Sequence, residues 1–174
     1  FIKDSVYAND GNGRDNNPAD PGDWVSQADI TGDSTRFGLC DELRSSWHGT
    51  FIAGQIAAQT NRMPQQGVAG INWAARILPV RVSGKCGALV SDLVDGVRWA
   101  AGLPVTDVPA NDYPARVINL SFGGSASCAS TPLYQQMVDD VTEANALLVV
   151  AGGNNDGPVT RPADCAGVMA VGAV

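Results

Sequence analysis

No run of apolar residues in this 174-residue chain approaches the length of a membrane span. The N-terminus lacks a basic segment followed by a long apolar one, so a secreted form has already shed its leader. Positive charge is sparse: 11 Lys and Arg stand against 18 Asp and Glu, a net charge of -7. That argues against nucleic acid as a partner, since phosphate binding needs a basic face. It fits an acidic extracellular protein or one that binds cations. No GxGxxG or Walker sequence occurs, which ranks a nucleotide-binding α/β domain last among the readings. Cys40, Cys86, Cys128 and Cys165 form no CxxC, and with a single histidine this argues against a zinc cluster. Their even count and wide spacing suggest disulfides and an oxidising compartment; buried free thiols in a cytosolic protein are the alternative. Repeats and a clear linker are absent, and the length favours one domain or a large part of one.

What is present is a globular pattern. Hydrophobic residues make up 44% of the chain, enough for a real core. The segment up to about Ser46 is polar and rich in Asp, Asn, Gly and Pro, so it reads as loops. Residues 48–59 read as a helix whose small residues Ala53, Gly54, Ala57 and Ala58 permit close packing. Residues 77–82 form a short apolar run and read as a strand. Helical periodicity follows over 90–101 through Val90, Leu93, Val94 and Val97. A strand over 117–121 precedes an amphipathic helix over 132–145 through Leu133, Met137, Val138 and Val141. Apolar strands are expected over 146–151 and 167–174. Strands that are apolar on both faces and alternate with helices indicate an α/β fold, a doubly wound, mostly parallel sheet in three layers with helices on both faces.

In such folds the site lies at the carboxyl ends of the strands. Three of those ends open into glycines: Ser121-Phe122-Gly123-Gly124, Ala151-Gly152-Gly153-Asn154, and the segment 83–87 with Gly84 and Gly87. Glycine allows another backbone to approach closely. Converging edges of this kind suit an extended peptide laid down as an added strand. His48 begins its helix as His48-Gly49-Thr50-Phe51-Ile52-Ala53-Gly54.

This HGTxxAG motif is followed by GVAGINWAARILPVRV at 67–82, INLSFGG at 118–124 and VVAGGNN at 149–155. In order and spacing the set resembles the subtilisin family of serine proteases, and the likeness runs the whole chain. The Asp-rich opening and the cysteines are most similar to bacterial extracellular subtilases of the sheep-footrot type. The resemblance implies a secreted serine endopeptidase acting on polypeptides, a monomer with neither nucleic acid nor membrane as a partner. It makes His48 the general base and Asn154 the side-chain donor to the oxyanion. It makes Ser121, Phe122, Gly123 and Gly124 one wall of the pocket for the residue before the cut, and Ala151, Gly152 and Gly153 the other. Gly84 and Gly87 would border the same cleft.

Departures from the family pattern are equally plain. Where Gly152 stands the family usually has Ala, and where Phe51 stands it more often has His, so Phe51 reads as packing only. The family's catalytic acid lies in Asp-Thr-Gly or Asp-Ser-Gly, which does not occur here; Asp4-Ser5-Val6 lacks the glycine. The nucleophile's Gly-Thr-Ser-Met-Ala is also absent, and Ser125 and Ser127 make no GxSxG elbow. Residues 1–174 are therefore expected to be part of one peptidase domain, incomplete at both ends, with the strand bearing the acid and the part bearing the serine outside it. By itself such a piece would be inactive. A catalytically dead subtilase-like domain that binds peptide or calcium is the alternative.

The loop 9–23 concentrates hard oxygen donors. It is not an EF-hand, because Pro21 stands where the closing Glu belongs. A solvated acidic loop is one reading; the resemblance favours structural Ca2+, with Asp10, Asp15 and Asp23 as ligands and Asn12 and Asp20 as further candidates. Asn119-Leu120-Ser121 matches a glycosylation sequon, set aside because a strand end is expected to be buried. Four cysteines allow three pairings. Positions in the subtilisin fold favour Cys40 with Cys86 and Cys128 with Cys165, each bridge tying together two loops of the site.

Overall fold

A computed structural model describes residues 1–59 and 67–173. The chain divides into two compact units, Phe1–Leu93 and Val94–Val174. Among the described residues no helix is long and apolar enough to cross a membrane.

In the first unit, the segment expected as loops contains three short helices: α1 (Ser5–Ala8), α2 (Gln27–Gly32) and α3 (Ser34–Phe37). Side-chain caps explain them. Asp4 accepts from the Val6 and Tyr7 N–H groups, Ser26 and Asp29 form a reciprocal capping box, and Asp33 accepts from Arg36 N–H. The same Asp and Ser residues that suggest loops therefore start helices. Asp4 is thus a cap, also paired with Arg36 at 3.3 Å. An isolated antiparallel bridge joins Val25 to Leu43. α4 (His48–Ala57) follows, close to expectation in extent but with none of its residues buried. The close packing expected of its small residues is made at the C-terminal end, where a Cβ on Gly70 would collide with the Ala57 and Ala58 backbone, whereas Phe51 is 63% exposed rather than packed.

The strand expected over 77–82 does not form. A strand exists only through its ladder, and no described segment supplies a partner to this one. Polar ties hold this unit instead. Asp92, 1% exposed, accepts from Lys3 N–H at 3.1 Å and from the Arg14 guanidinium at 3.1 Å. Buried Lys85 pairs with Asp29 at 2.8 Å and lies 5.2 Å from the Trp24 ring centroid. The Lys85 hydrogen bond, ahead of those from Ser26, lowers the Asp29 pKa to about 2. Phe37, Val25, Ala8 and Ile2 form a small apolar core.

The second unit is built on apolar periodicity. β1 (Val117–Leu120), β2 (Leu147–Ala151) and β3 (Met169–Val171) form a parallel sheet in that order. Val117 pairs with Leu147, and Val149 with Met169. Val174, the end of the expected last strand, lies outside the described residues. α6 (Pro132–Glu143) opens on a proline, whose fixed φ suits the first helical position. Tyr134, Met137, Val138 and Val141 make its buried stripe, which packs against β2. Leu133, expected in that stripe, is exposed. α5 (Val90–Ala100), whose first four residues belong to the first unit, buries Leu93, Val94 and Val97.

The sheet buries Ile118, Leu120, Leu148 and Val150 on one face, each worth about 1.5–3 kcal/mol relative to exposure. Val117, Leu147, Met169 and Val171 on the other face are exposed. Asn119 shares that exposed alternation, so the burial expected for the sequon does not hold.

Both disulfides are present, Cys40–Cys86 and Cys128–Cys165, in the expected pairing. They close separations of 46 and 37 residues, for which chain entropy alone gives about 4 kcal/mol each.

Candidate active site

In the first unit His48 opens α4 and is exposed. Trp47 before it has φ 50°, a left-handed conformation uncommon for a bulky residue, and gives α4 no side-chain cap. Ser46 holds the turn. His48 N–H donates to Ser46 Oγ at 3.3 Å. Ser46 N–H and Ser46 O–H each donate to a carboxylate oxygen of Asp23, both at 2.6 Å.

The Cys40–Cys86 bridge ties the segment before α4 to the turn at 84–87. Gly84 N–H donates to Gly87 carbonyl at 3.0 Å, and Gly87 N–H returns to Gly84 carbonyl at 3.2 Å. Gly84 is buried, and a Cβ there would collide with the Tyr7 carbonyl. Lys85 N–H donates to that same carbonyl at 2.9 Å. The edge at Gly84 is thus already covered by the segment around Tyr7, while a Cβ on Gly87 would meet open space.

The acidic loop is organised by its own hydrogen bonds. Asn12 N–H donates to Asp10 at 3.2 Å, and Asn12 Nδ2 donates to Asp15 at 3.1 Å. Asp20 accepts from Gly22 N–H at 2.9 Å. Arg81 lies 3.2 Å from Asp10 and 3.3 Å from Asp20, so these carboxylates already face a cation from the chain itself. Among the described residues no three carboxylates of this loop converge. Asp10, Asn12 and Asp15 are linked in one turn by the two bonds that Asn12 donates. Each oxygen of Asp23 accepts one hydrogen bond from Ser46.

In the second unit the segment after β1 is pinned by Arg161. Gly124 N–H donates to the Arg161 carbonyl and Arg161 N–H to the Ala126 carbonyl, each at 2.9 Å. A Cβ would stand 3.3 Å from the Arg161 carbonyl oxygen at Gly123 and 3.1 Å from its guanidinium at Gly124, a close approach at both glycines. The guanidinium sits 5.7 Å from the Tyr134 ring centroid and bonds Thr131 Oγ1. Burial raises the Tyr134 pKa, with Arg161 opposing it. Asn119 Nδ2 donates to Ser121 Oγ at 3.0 Å; Ser121 and Phe122 are half-buried. After β2, Gly152 N–H donates to Val171 carbonyl at 2.8 Å and extends the ladder by one residue beyond Ala151. Gly153 at φ 102° then turns the chain out of the sheet, leaving Asn154 exposed. The Cys128–Cys165 bridge joins the short helix after the first segment to the chain beyond the second, and Cys128 N–H donates to Asp164 at 2.9 Å.

The subtilase family profile matches residues 18–174. The chain belongs to the subtilase family. It is 44% identical over 177 residues to an extracellular basic protease of Dichelobacter nodosus, covering 99% of this chain and 28% of the relative. It is 45% identical over 175 residues to an extracellular protease of Xanthomonas campestris pv. campestris, with the same shares. A solved protease structure from Pseudoalteromonas arctica superposes with a TM-score of 0.88 at 42% identity, covering 99% of this chain and 48% of that one. The fold is therefore the subtilisin-like α/β fold. The chain spans under a third of the length of the two curated relatives.

Two features of this subtilase segment are invisible in its motifs. Arg161 as the pin of the Gly123–Gly124 segment has no sequence signature. The Asp23–Ser46 pair is separated by 23 residues, and only the position of Ser46, two before His48, hints at a turn-forming hydroxyl.

Proposed function

We propose that this chain is the base-bearing and oxyanion-binding part of a secreted subtilisin-like serine endopeptidase that cleaves polypeptides. The observation that carries the reading is His48 on the first turn of α4, inside HGTxxAG, in a chain matched by the subtilase profile over 157 of its residues (18 through 174). Names of extracellular proteases among the relatives support secretion. In the complete enzyme a serine Oγ attacks the peptide carbonyl carbon while His48 takes its proton. Asn154 donates to the oxygen that gains charge. His48 then passes the proton to the leaving nitrogen as the C–N bond breaks. Ser121–Gly124 and Ala151–Gly153 form the two walls of the pocket before the cut. Because the family's serine and aspartate motifs do not occur in these residues, the 174-residue chain alone does not turn over.

A fluorophosphonate probe tests this. It is expected to label the serine of the complete enzyme and to fail with His48→Ala. Equal labelling of both would remove His48 as the base.

Structural calcium belongs to the same proposal, with Asp10, Asn12 and Asp15 as side-chain donors. Bound to the folded state alone, calcium at a hundredfold excess over Kd stabilises by about 2.7 kcal/mol. Melting midpoints in EDTA and in millimolar calcium are expected to differ, and the difference to vanish in the Asp10→Ala, Asp15→Ala double variant. Identical midpoints in the unaltered enzyme exclude the site.

A further inference from the structure

The helix that carries His48 fully buries none of its residues. Backbone bonds from Gly70, Ile71 and Asn72 hold its C-terminal end, and polar contacts hold its first turn. Ser46 Oγ accepts from His48 N–H across the left-handed Trp47, closing a short side-chain turn. The hydroxyl is itself oriented, because its proton goes to Asp23 at 2.6 Å and a lone pair is left facing His48. The second Asp23 oxygen takes Ser46 N–H at 2.6 Å. Bonds to an ionised carboxylate are shorter and about twice as strong as neutral ones.

Asp23 is in turn held in place. Val25 and Leu43 exchange backbone bonds of 3.0 and 2.9 Å, which runs the segment around Asp23 antiparallel to the one around Ser46. Gly22, at φ 117°, lets the two come together where a Cβ would strike Ser45 Oγ and the Trp24 ring. Ser46 thus directs both of its donors, N–H and O–H, to a segment that is itself latched.

We infer that Asp23 and Ser46 are positioning residues for the catalytic histidine, setting the register of the first turn of α4, and that Asp23 serves this role instead of binding calcium. The inference rests on reading His48 as the general base. A displacement of about 1 Å costs on the order of 10²-fold in rate, so loss of the hydroxyl acts on kcat while leaving substrate binding alone.

The test uses the complete enzyme with a chromogenic peptide substrate. Ser46→Ala is expected to lower kcat by about 10- to 100-fold with KM unchanged, and Ser46→Thr, which keeps a hydroxyl, to restore it. Asp23→Asn is expected to lower kcat in the same sense. Combined with Ser46→Ala it adds no further loss, since residues acting as one unit are non-additive. Asp23→Asn is expected to keep the full calcium-dependent shift in melting midpoint. A normal kcat for Ser46→Ala, a loss confined to KM or to melting temperature, failure of Ser46→Thr to rescue, or loss of the calcium shift in Asp23→Asn each overturns the inference. His48→Ala in parallel separates this from the function itself: residual full activity there sinks the base assignment, whereas an inactive His48→Ala beside a normal Ser46→Ala sinks only the positioning role.

Discussion

The two units of this chain keep His48 and Asn154 in place by different means. Around Asn154 the scaffold is apolar: β2 is sealed by α6 through Met137, Val138, Val141, Leu148 and Val150, and Asn154 follows the strand by a single glycine turn. Around His48 the scaffold is polar. The Asp23–Ser46 clamp, the Arg81 pairs with Asp10 and Asp20, the Asp92 pair with Arg14 and the Lys85–Asp29 pair carry that unit, with only a small core at Phe37 and Val25. A hydrogen-bond donor aimed at developing charge needs rigid placement, which a packed strand supplies. A histidine on the first turn of a helix can be set by a few short bonds to that turn.

The largest stability contrast lies in a matched pair of leucines. Leu148 is 2% exposed, and Leu39 is fully exposed. Leu148→Ala in this chain is expected to cost about 2–5 kcal/mol by removing buried carbons and leaving a cavity, and Leu39→Ala under about 0.5 kcal/mol. Denaturant unfolding monitored by fluorescence measures both. Equal costs would break the comparison.

A smaller effect sharpens it from the polar side. Asp29 has its pKa lowered to about 2, chiefly by Lys85. A depressed carboxylate pKa contributes stability that is present above the unfolded value of about 4 and disappears as pH falls through the folded one. The Asp29 side chain keeps 23% of its surface in water, so screening reduces the gain. Acid titration is therefore expected to show a stability loss between about pH 4 and pH 2, flattened in Asp29→Asn. An unchanged acid limb in that variant would remove the Lys85 pair from the account.

Legibility in the sequence follows the same division. Helical periodicity revealed α5 and α6, and short continuous apolar runs revealed the sheet, because there apolar residues decide the structure. In the first unit, polar residues decide it, and polar residues carry no period. Asp4, Ser26 and Asp33 read as loop formers and act as caps. The run at 77–82 has strand composition, but a strand also needs a neighbour, which composition cannot reveal. His48 and Asn154 were legible because their motifs are local. Asp23 was readable only as an acidic residue in an acidic loop, since its partner lies on a segment that folding brings to it.

The account stands most directly on the division of labour between His48 and Asn154, and kcat for alanine at each position in the complete enzyme measures it. By the standard of subtilisin itself, His48→Ala is expected to lower kcat by about 10⁶ and Asn154→Ala by about 10²–10³, with KM little changed in either. Near-normal turnover in His48→Ala, or an Asn154→Ala variant altered only in KM, would contradict it.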